Sequence, residues 1–203
     1  LKLTRRAFPW REPPHPFAQC CVRSPDGTSF ARSPCIGGLC ALVADHVVQG
    51  RVIFPGAGYL ELARAACHLL ASPAKNTRLC DIFFLHPLAA KAAGLHVECS
   101  VSDTRFEVCS GEVASDGALA SAVAHCSGSV GHGTLATWHV LDHALARSRH
   151  CARLAESDAL YEGLHAVGLQ YGPGYRTLVQ SWGGGSGVGL ARLRARMAQH
   201  NVR

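Results

Sequence analysis

The stretch DHVVQGRVIFPGAGYL, residues 45–60, places one imidazole, His46, four residues ahead of Gly50 and nine ahead of Pro55, with Gly56 and Gly58 following at once. Histidine is the side chain whose protonation changes near neutral pH, so it can move a proton or bind a ligand. A buried histidine can equally be a core residue whose two nitrogens have found partners. The glycines carry the same ambiguity, because each serves either a tight turn or a close approach of backbone to a bound molecule. Which reading holds depends on the elements that position these residues.

Pro55 suits the first turn of a helix, where its missing N–H costs nothing, and the segment from there to Ala71 has no glycine after Gly58 before Ser72-Pro73 stops it. That predicts a helix of about four turns. Its apolar residues, Tyr59, Leu60, Leu62, Ala63, Ala66, Cys67, Leu69 and Leu70, cover most of the circumference and leave Glu61, Arg64 and His68 as one polar stripe. Strand-like runs surround it: a turn at SPDGTSF between two short strands, then 81–85, 95–101, 106–111 and 120–130. The short apolar run LCALVA, 39–44, reads as a buried strand. One central helix and several strands predict an α+β fold with a sheet wrapped around the helix.

Residues 131–150 lose this pattern and gather Gly, His and Arg, which predicts a linker. A second unit starts near Cys151. There DALYEGLHAVG repeats Leu160, Leu164 and Val167 at helical spacing, and GGGSG separates two strand-like runs as a hairpin. At the other end, residues 1–19 are rich in Pro and Arg without periodicity and predict a linker.

Length and composition set limits. A chain of 203 residues with 48% hydrophobic content can build one sizeable core, or one complete unit and part of a second. The net charge of +6 is dispersed, without the dense basic run or interleaved aromatics of a nucleic-acid binder. Ten cysteines occur without any Cys-x-x-Cys pair, which predicts reduced and mostly buried thiols rather than a zinc site. No apolar run approaches the roughly 20 residues that span a bilayer, and no signal segment opens the chain. The expectation is a cytoplasmic protein with no membrane partner.

With these elements in place, His46 to Pro55 resembles the H-x-x-x-G-x-x-x-x-P pattern of the dehydratase domain of polyketide synthases and animal-type fatty acid synthases. Further landmarks agree in order. His15-Pro16-Phe17 resembles that domain's opening HPL element, DIFFLHPL at 81–88 its strand after the central helix, and GLQYGPGY at 168–175 its YGPxF element. AFPWRE, just ahead of them, is similar to the linker that precedes such domains. The resemblance implies a double hotdog, with a linker at 1–14, a complete N-terminal hotdog at 15–135, a linker at 136–150 and a partial C-terminal hotdog at 151–203.

The reaction implied is loss of water from a 3-hydroxyacyl thioester carried on the phosphopantetheine arm of an acyl carrier protein, giving a 2-enoyl thioester with no cofactor of the protein's own. Such a reaction needs a base at the α-carbon and an acid at the departing β-oxygen. The resemblance makes His46 the base, and an imidazole of ordinary pKa, about 6.5, is largely neutral at pH 7 as that role requires. Backbone N–H groups at the helix start, by Pro55, Gly56 and Gly58, would hold charge on the thioester oxygen. Gly50 would allow the turn after His46, and Tyr171, Gly172 and Pro173 would shape the substrate tunnel.

The family's acid is an aspartate in an HPALLDAxxQ-like element, and no such element is found in this sequence. Asp142, in Leu141-Asp142-His143-Ala144-Leu145, precedes the YGP element instead of following it and is read as a solvated linker residue. Stand-alone bacterial dehydratases that resemble this half form homodimers, with a carboxylate six residues after the helix-opening proline. Glu61 stands at that position, although the i, i+3 spacing favours its pairing with Arg64 on the polar stripe instead. Partners implied are an acyl carrier protein, other synthase domains and a second copy. A hotdog that binds acyl chains or spaces domains without catalysis is the alternative.

Overall fold

The computed structural model describes residues 4–5, 15–23, 29–70, 77–90, 94–102, 104–132, 142–184 and 187–196. The chain divides into two compact units, one made of Leu1–Val43 with Ile53–Leu135, the other of Ala44–Val52 with Ala136–Arg203. His46 and its turn therefore belong with the C-terminal residues, whereas the expected boundary kept them in the N-terminal unit. More than a hundred residues of sequence separate His46–Val48 from Leu169–Tyr171, with which they pair.

The first unit is an antiparallel sheet closed on one helix. Its strands are β1 (Thr4–Arg5), β2 (Cys20–Arg23), β3 (Ser29–Pro34), β6 (Thr77–Phe84), β7 (Leu95–Val101), β8 (Arg105–Val113) and β9 (Leu119–His132), in the order β1-β2-β3-β7-β8-β9-β6. Residues 4–5 thus form an edge strand within the stretch expected to be linker. Side chains alternate along β3, β7 and β8, with Ala31, Ser33, Val97, Cys99, Phe106 and Val108 buried. The helix they enclose, α2 (Gly56–Leu70), buries Tyr59, Leu62, Ala63, Ala65, Ala66 and Cys67. Small residues on that face let the sheet approach closely.

The run expected to be a strand at 39–44 is helical: α1 spans Gly37–Val43. Within it Leu39 and Val43 are both buried, and their spacing of four is that of a helix face. Short apolar runs carry too few residues for periodicity alone to separate the two states. The Cys40 thiol donates to the Cys35 carbonyl, and burial pushes the neighbouring Cys35 thiol up to about 11, which disfavours its thiolate.

Glu61 is occupied on the surface of α2. Arg64 donates to it through Nε at 3.0 Å and Nη2 at 2.8 Å, and His15 Nε2 lies 3.1 Å from Oε1. The Phe17 N–H donates to His15 Nδ1, so Nε2 carries the proton and donates to Glu61. The Arg64 pairing expected from the sequence is present, and His15 extends it. These contacts, Arg64 first, hold the Glu61 carboxyl below its ordinary value. The folded form therefore gains stability from Glu61 above the ordinary carboxylate range and loses it as pH falls through the lowered folded pKa. With the side chain 36% exposed, Glu61→Gln is expected to cost at most about 1 kcal/mol at pH 7 after solvent screening. Thermal melts of the two forms should converge as pH falls through the lowered folded pKa of Glu61.

The second unit holds two small sheets. One has the order β11-β4-β5, made of β11 (Leu169–Tyr171), β4 (His46–Val48) and β5 (Arg51–Val52). The other is β10 (Arg153–Ala155), β12 (Leu178–Gly183) and β13 (Gly189–Leu193), in which β12 and β13 form the hairpin expected around GGGSG. Two helices accompany them, α3 (His143–His150) and α4 (Ser157–Ala166).

Residues 143–150 are thus helix where linker was expected, because Asp142 caps them: its Oδ1 accepts from the N–H groups of Ala144 and Leu145 at 2.9 and 3.0 Å. In α4 the buried residue is Tyr161, whose hydroxyl accepts from the Leu178 N–H, while Leu160 and Val167 face outward. Among the described residues, no helix is long and apolar enough to cross a membrane.

Candidate active site

Strand β4 carries His46 against the YGPGY element. Antiparallel pairing sets His46 opposite Tyr171, Val47 opposite Gln170 and Val48 opposite Leu169. The imidazole lies 5.5 Å from the Tyr171 ring and 5.4 Å from the Tyr175 ring, centroid to centroid, and the two tyrosines are 5.9 Å apart. Arg196 stands over the Tyr175 ring at 4.9 Å. Burial raises the Tyr175 phenol above its ordinary value against the opposing pull of Arg196, so it is a neutral group able to donate a hydrogen bond.

The turn after His46 explains Gly50. Val48 pairs with Arg51, and the two residues between them, Gln49 and Gly50, both have positive φ, +48° and +74°. That is the backbone of a type I′ hairpin turn, in which a glycine is strongly favoured at the second position. The turn is pinned to the C-terminal residues: the Gln49 N–H donates to the Gly168 carbonyl and the Gly50 N–H to Gln170 Oε1, each at 2.8 Å.

Asp45 is a site residue that motif reading did not single out. Its carbonyl accepts from the Gly172 N–H at 2.9 Å, and its Oδ2 accepts from the Gly174 N–H at 2.7 Å. Gly172 has to be glycine for this, since a Cβ there would stand 2.6 Å from the Asp45 carboxyl carbon. Pro173 is exposed at the tip of the same loop, and its carbonyl accepts from Arg194. Asp45 thus fixes the loop that carries Tyr171 and Tyr175 past His46. The signal that could have found it is a carboxylate directly before the motif histidine, opposite a Gly-Pro-Gly whose N–H groups need acceptors.

Asp45→Ala is expected to cost about 1–3 kcal/mol, because it leaves a part-buried N–H without its charged acceptor. Asp45→Asn, which keeps an acceptor oxygen, should recover most of that loss in urea unfolding.

Pro55 and Gly56 fall in the first unit. The Gly58 N–H donates to the Pro55 carbonyl at 2.8 Å, closing the first turn of α2. Gly58 is needed there because a Cβ would stand 2.6 Å from the Phe54 ring. The described residues therefore bring together His46, Gly50, Tyr171, Gly172 and Pro173 in one unit and set Pro55 and Gly56 at the helix start of the other.

Asp142 is committed to capping α3, and both Glu61 oxygens are engaged. A cleft of about 940 Å³ lies between α3 and the β10-β12-β13 sheet, lined by residues that include Arg147, Trp182 and Arg192. None of the motif residues lines it, so cavity volume does not mark the chemistry here. No group of three or more His, Cys, Asp or Glu side chains among the described residues is placed to hold a metal ion.

An antiparallel sheet wrapped around one long helix, with a partial second unit, defines a hotdog protein. Residues 15–116, half of the chain, match the family model of the polyketide synthase dehydratase domain, and the chain belongs to that family. It is 30% identical over 161 residues to the polyketide synthase ThaG of Burkholderia thailandensis, a match covering 75% of this chain and 3% of that protein. With PksM of Bacillus subtilis the identity is 26% over 165 residues, covering 77% of this chain and 4% of the synthase.

Two solved structures share the fold. The dehydratase domain of the CurF module of curacin polyketide synthase has a TM-score of 0.74 and 22% identity, covering 90% of this chain and 66% of that one. A trans-AT polyketide synthase dehydratase domain from Brevibacillus brevis has a TM-score of 0.75 and 22% identity, covering 90% of this chain and 65% of that one. The chain thus spans about two thirds of the dehydratase domains it resembles and a few per cent of the synthases.

Proposed function

We propose that this chain supplies the base-bearing part of a dehydratase that removes water from a 3-hydroxyacyl thioester within a polyketide synthase. The observation that carries the reading is the β4–β11 pairing, which sets the motif histidine, His46, against the tyrosines of the YGPGY element. In this reading His46 takes the α-proton. The electron pair moves toward the thioester carbonyl, whose oxygen is met by backbone N–H groups at the Pro55-Gly56 start of α2, where the helix dipole favours negative charge. The β-hydroxyl then leaves as water once protonated, so that one C–H and one C–O bond break and one C=C bond forms.

Tyr171, Gly172 and Pro173 form the wall along which the acyl chain lies, and Gly50 shapes the turn that aims His46. The substrate arrives on the phosphopantetheine arm of an acyl carrier protein, in the cytoplasm, and the enzyme uses no cofactor of its own. The proton donor for the leaving hydroxyl comes from residues other than Asp142. We also propose that the working form contains two copies, the arrangement implied by the resemblance to stand-alone bacterial dehydratases. The domain limits remain those expected from the sequence, a hotdog over 15–135 and the start of another over 151–203, with β4 and its turn exchanged into the latter.

The test is to give the synthase polypeptide carrying this chain a 3-hydroxyacyl pantetheine thioester and follow the product by mass. Appearance of the 2-enoyl thioester supports the reading. Retention of the hydroxyl by a folded protein that still binds the thioester would support the non-catalytic alternative instead.

A further inference from the structure

The start of α2 is gripped by a stack of rings that the proposed chemistry does not itself use. Phe54, 2% exposed, lies beneath Gly58 and is stacked on Tyr59 at 5.0 Å and 19°. Tyr59 in turn lies parallel to the imidazole of His125, with centroids 5.9 Å apart and the planes 9° from each other. Beyond His125 the stack ends in polar anchors: Nε2 is 2.7 Å from Ser110 Oγ, and Nδ1 is 2.9 Å from the His86 carbonyl. A carbonyl only accepts, so Nδ1 carries the proton and Nε2 accepts from the Ser110 hydroxyl. Both His125 and Ser110 are buried, at 3% and 4% exposure.

Burial, ahead of any other cause, holds the His125 imidazole below its ordinary pKa, which agrees with a neutral ring of fixed tautomer. Three further contacts tie the same region. The Leu85 N–H donates to the His125 carbonyl, the Phe54 N–H donates to the Leu88 carbonyl, and the Phe84 ring faces Gly56, 3.2 Å from where a Cβ would stand. Among the described residues the buried Tyr59 hydroxyl has no hydrogen-bond partner within bonding geometry, although the Leu88 backbone comes near. Its ring faces are therefore what it offers the site.

A histidine spending both nitrogens on β8 and on the 84–88 segment, while presenting its flat face to the first turn of α2, has one mechanical consequence. We propose that His125, anchored by Ser110 and the His86 carbonyl, is a positioning residue that fixes, through Tyr59 and Phe54, the Gly56–Tyr59 backbone that receives the thioester oxygen. The proposal rests on the dehydratase reading above. Donors that stabilise a developing oxyanion act only when held in place before the reaction, and a misplacement of about 1 Å can cost on the order of 100-fold in rate.

The test uses the synthase polypeptide carrying this chain, with two readouts. His125→Phe keeps a ring against Tyr59 and deletes both hydrogen bonds. It is expected to lower kcat for a 3-hydroxyacyl pantetheine thioester by about 10- to 100-fold with KM changed by less than about twofold. Amide exchange at Gly56–Tyr59 should quicken while that of β7 does not. Ser110→Ala should do the same to a smaller extent, and Ser110→Thr, which restores a hydroxyl, should recover it. Unchanged kcat and unchanged exchange at Gly56–Tyr59 would overturn the proposal. So would exchange that quickens equally in β7 together with a lower Tm, the mark of a merely structural role. If the unsubstituted protein forms no 2-enoyl product, the dehydratase reading fails on its own, and the exchange pattern alone decides whether His125 sets the helix start.

Discussion

Replacing His46 with alanine is expected to lower turnover of a 3-hydroxyacyl thioester by roughly 10² to 10⁴, the loss typical of a removed general base. KM should stay nearly constant, because in the proposed reaction the acyl chain is held by the loop bearing Tyr171 and Tyr175 rather than by His46. A fall in kcat/KM that came wholly from KM would mean that His46 binds substrate without transferring the proton. His46→Gln sharpens the comparison, since it retains a polar side chain of similar reach between the tyrosines and removes only the basic nitrogen. Equal loss in both variants at unchanged Tm points to chemistry. Recovery in the glutamine form would instead make His46 a packing residue of the β4–β11 pair, the bland reading that every isolated histidine carries.

Phe54→Ala should give the largest loss of stability that a single change near the site produces, about 3–5 kcal/mol. The ring is enclosed by Phe17 at 5.7 Å, by Tyr59 at 5.0 Å and by the bare backbone of Gly58. Deleting it leaves a cavity lined by groups that cannot collapse, because Tyr59 is held from its other face by His125. Urea unfolding reads the effect as a lower midpoint at unchanged slope. Phe54→Leu fills most of the space and should lose distinctly less. A cost below about 1 kcal/mol for the alanine form would show that the stack is not rigid, and would weaken the His125 proposal with it.

Much of this was legible in the residue order because it is written locally. The Pro55 start and Ser72-Pro73 stop bracket α2, strand alternation marks β7 and β8, and the Glu61–Arg64 pair follows from helical spacing alone. The motif strings carried the family, since each needs only a few residues at fixed separation. What the sequence left open was every matter decided by partners distant along the chain. LCALVA falls largely in a helix whose Leu39 and Val43 share one buried face, which a run of six apolar letters does not disclose. His46 sits with the C-terminal unit because β4 pairs with β11, and Asp45 matters because its carboxylate reaches the N–H of Gly174. His125 looked like one of twelve ordinary histidines until the sheet closed on α2 and set its face against Tyr59. The physical reason is common to all four: local conformation follows from neighbours in sequence, whereas burial, hydrogen-bond satisfaction and ring stacking depend on which distant surfaces meet once the sheet has closed.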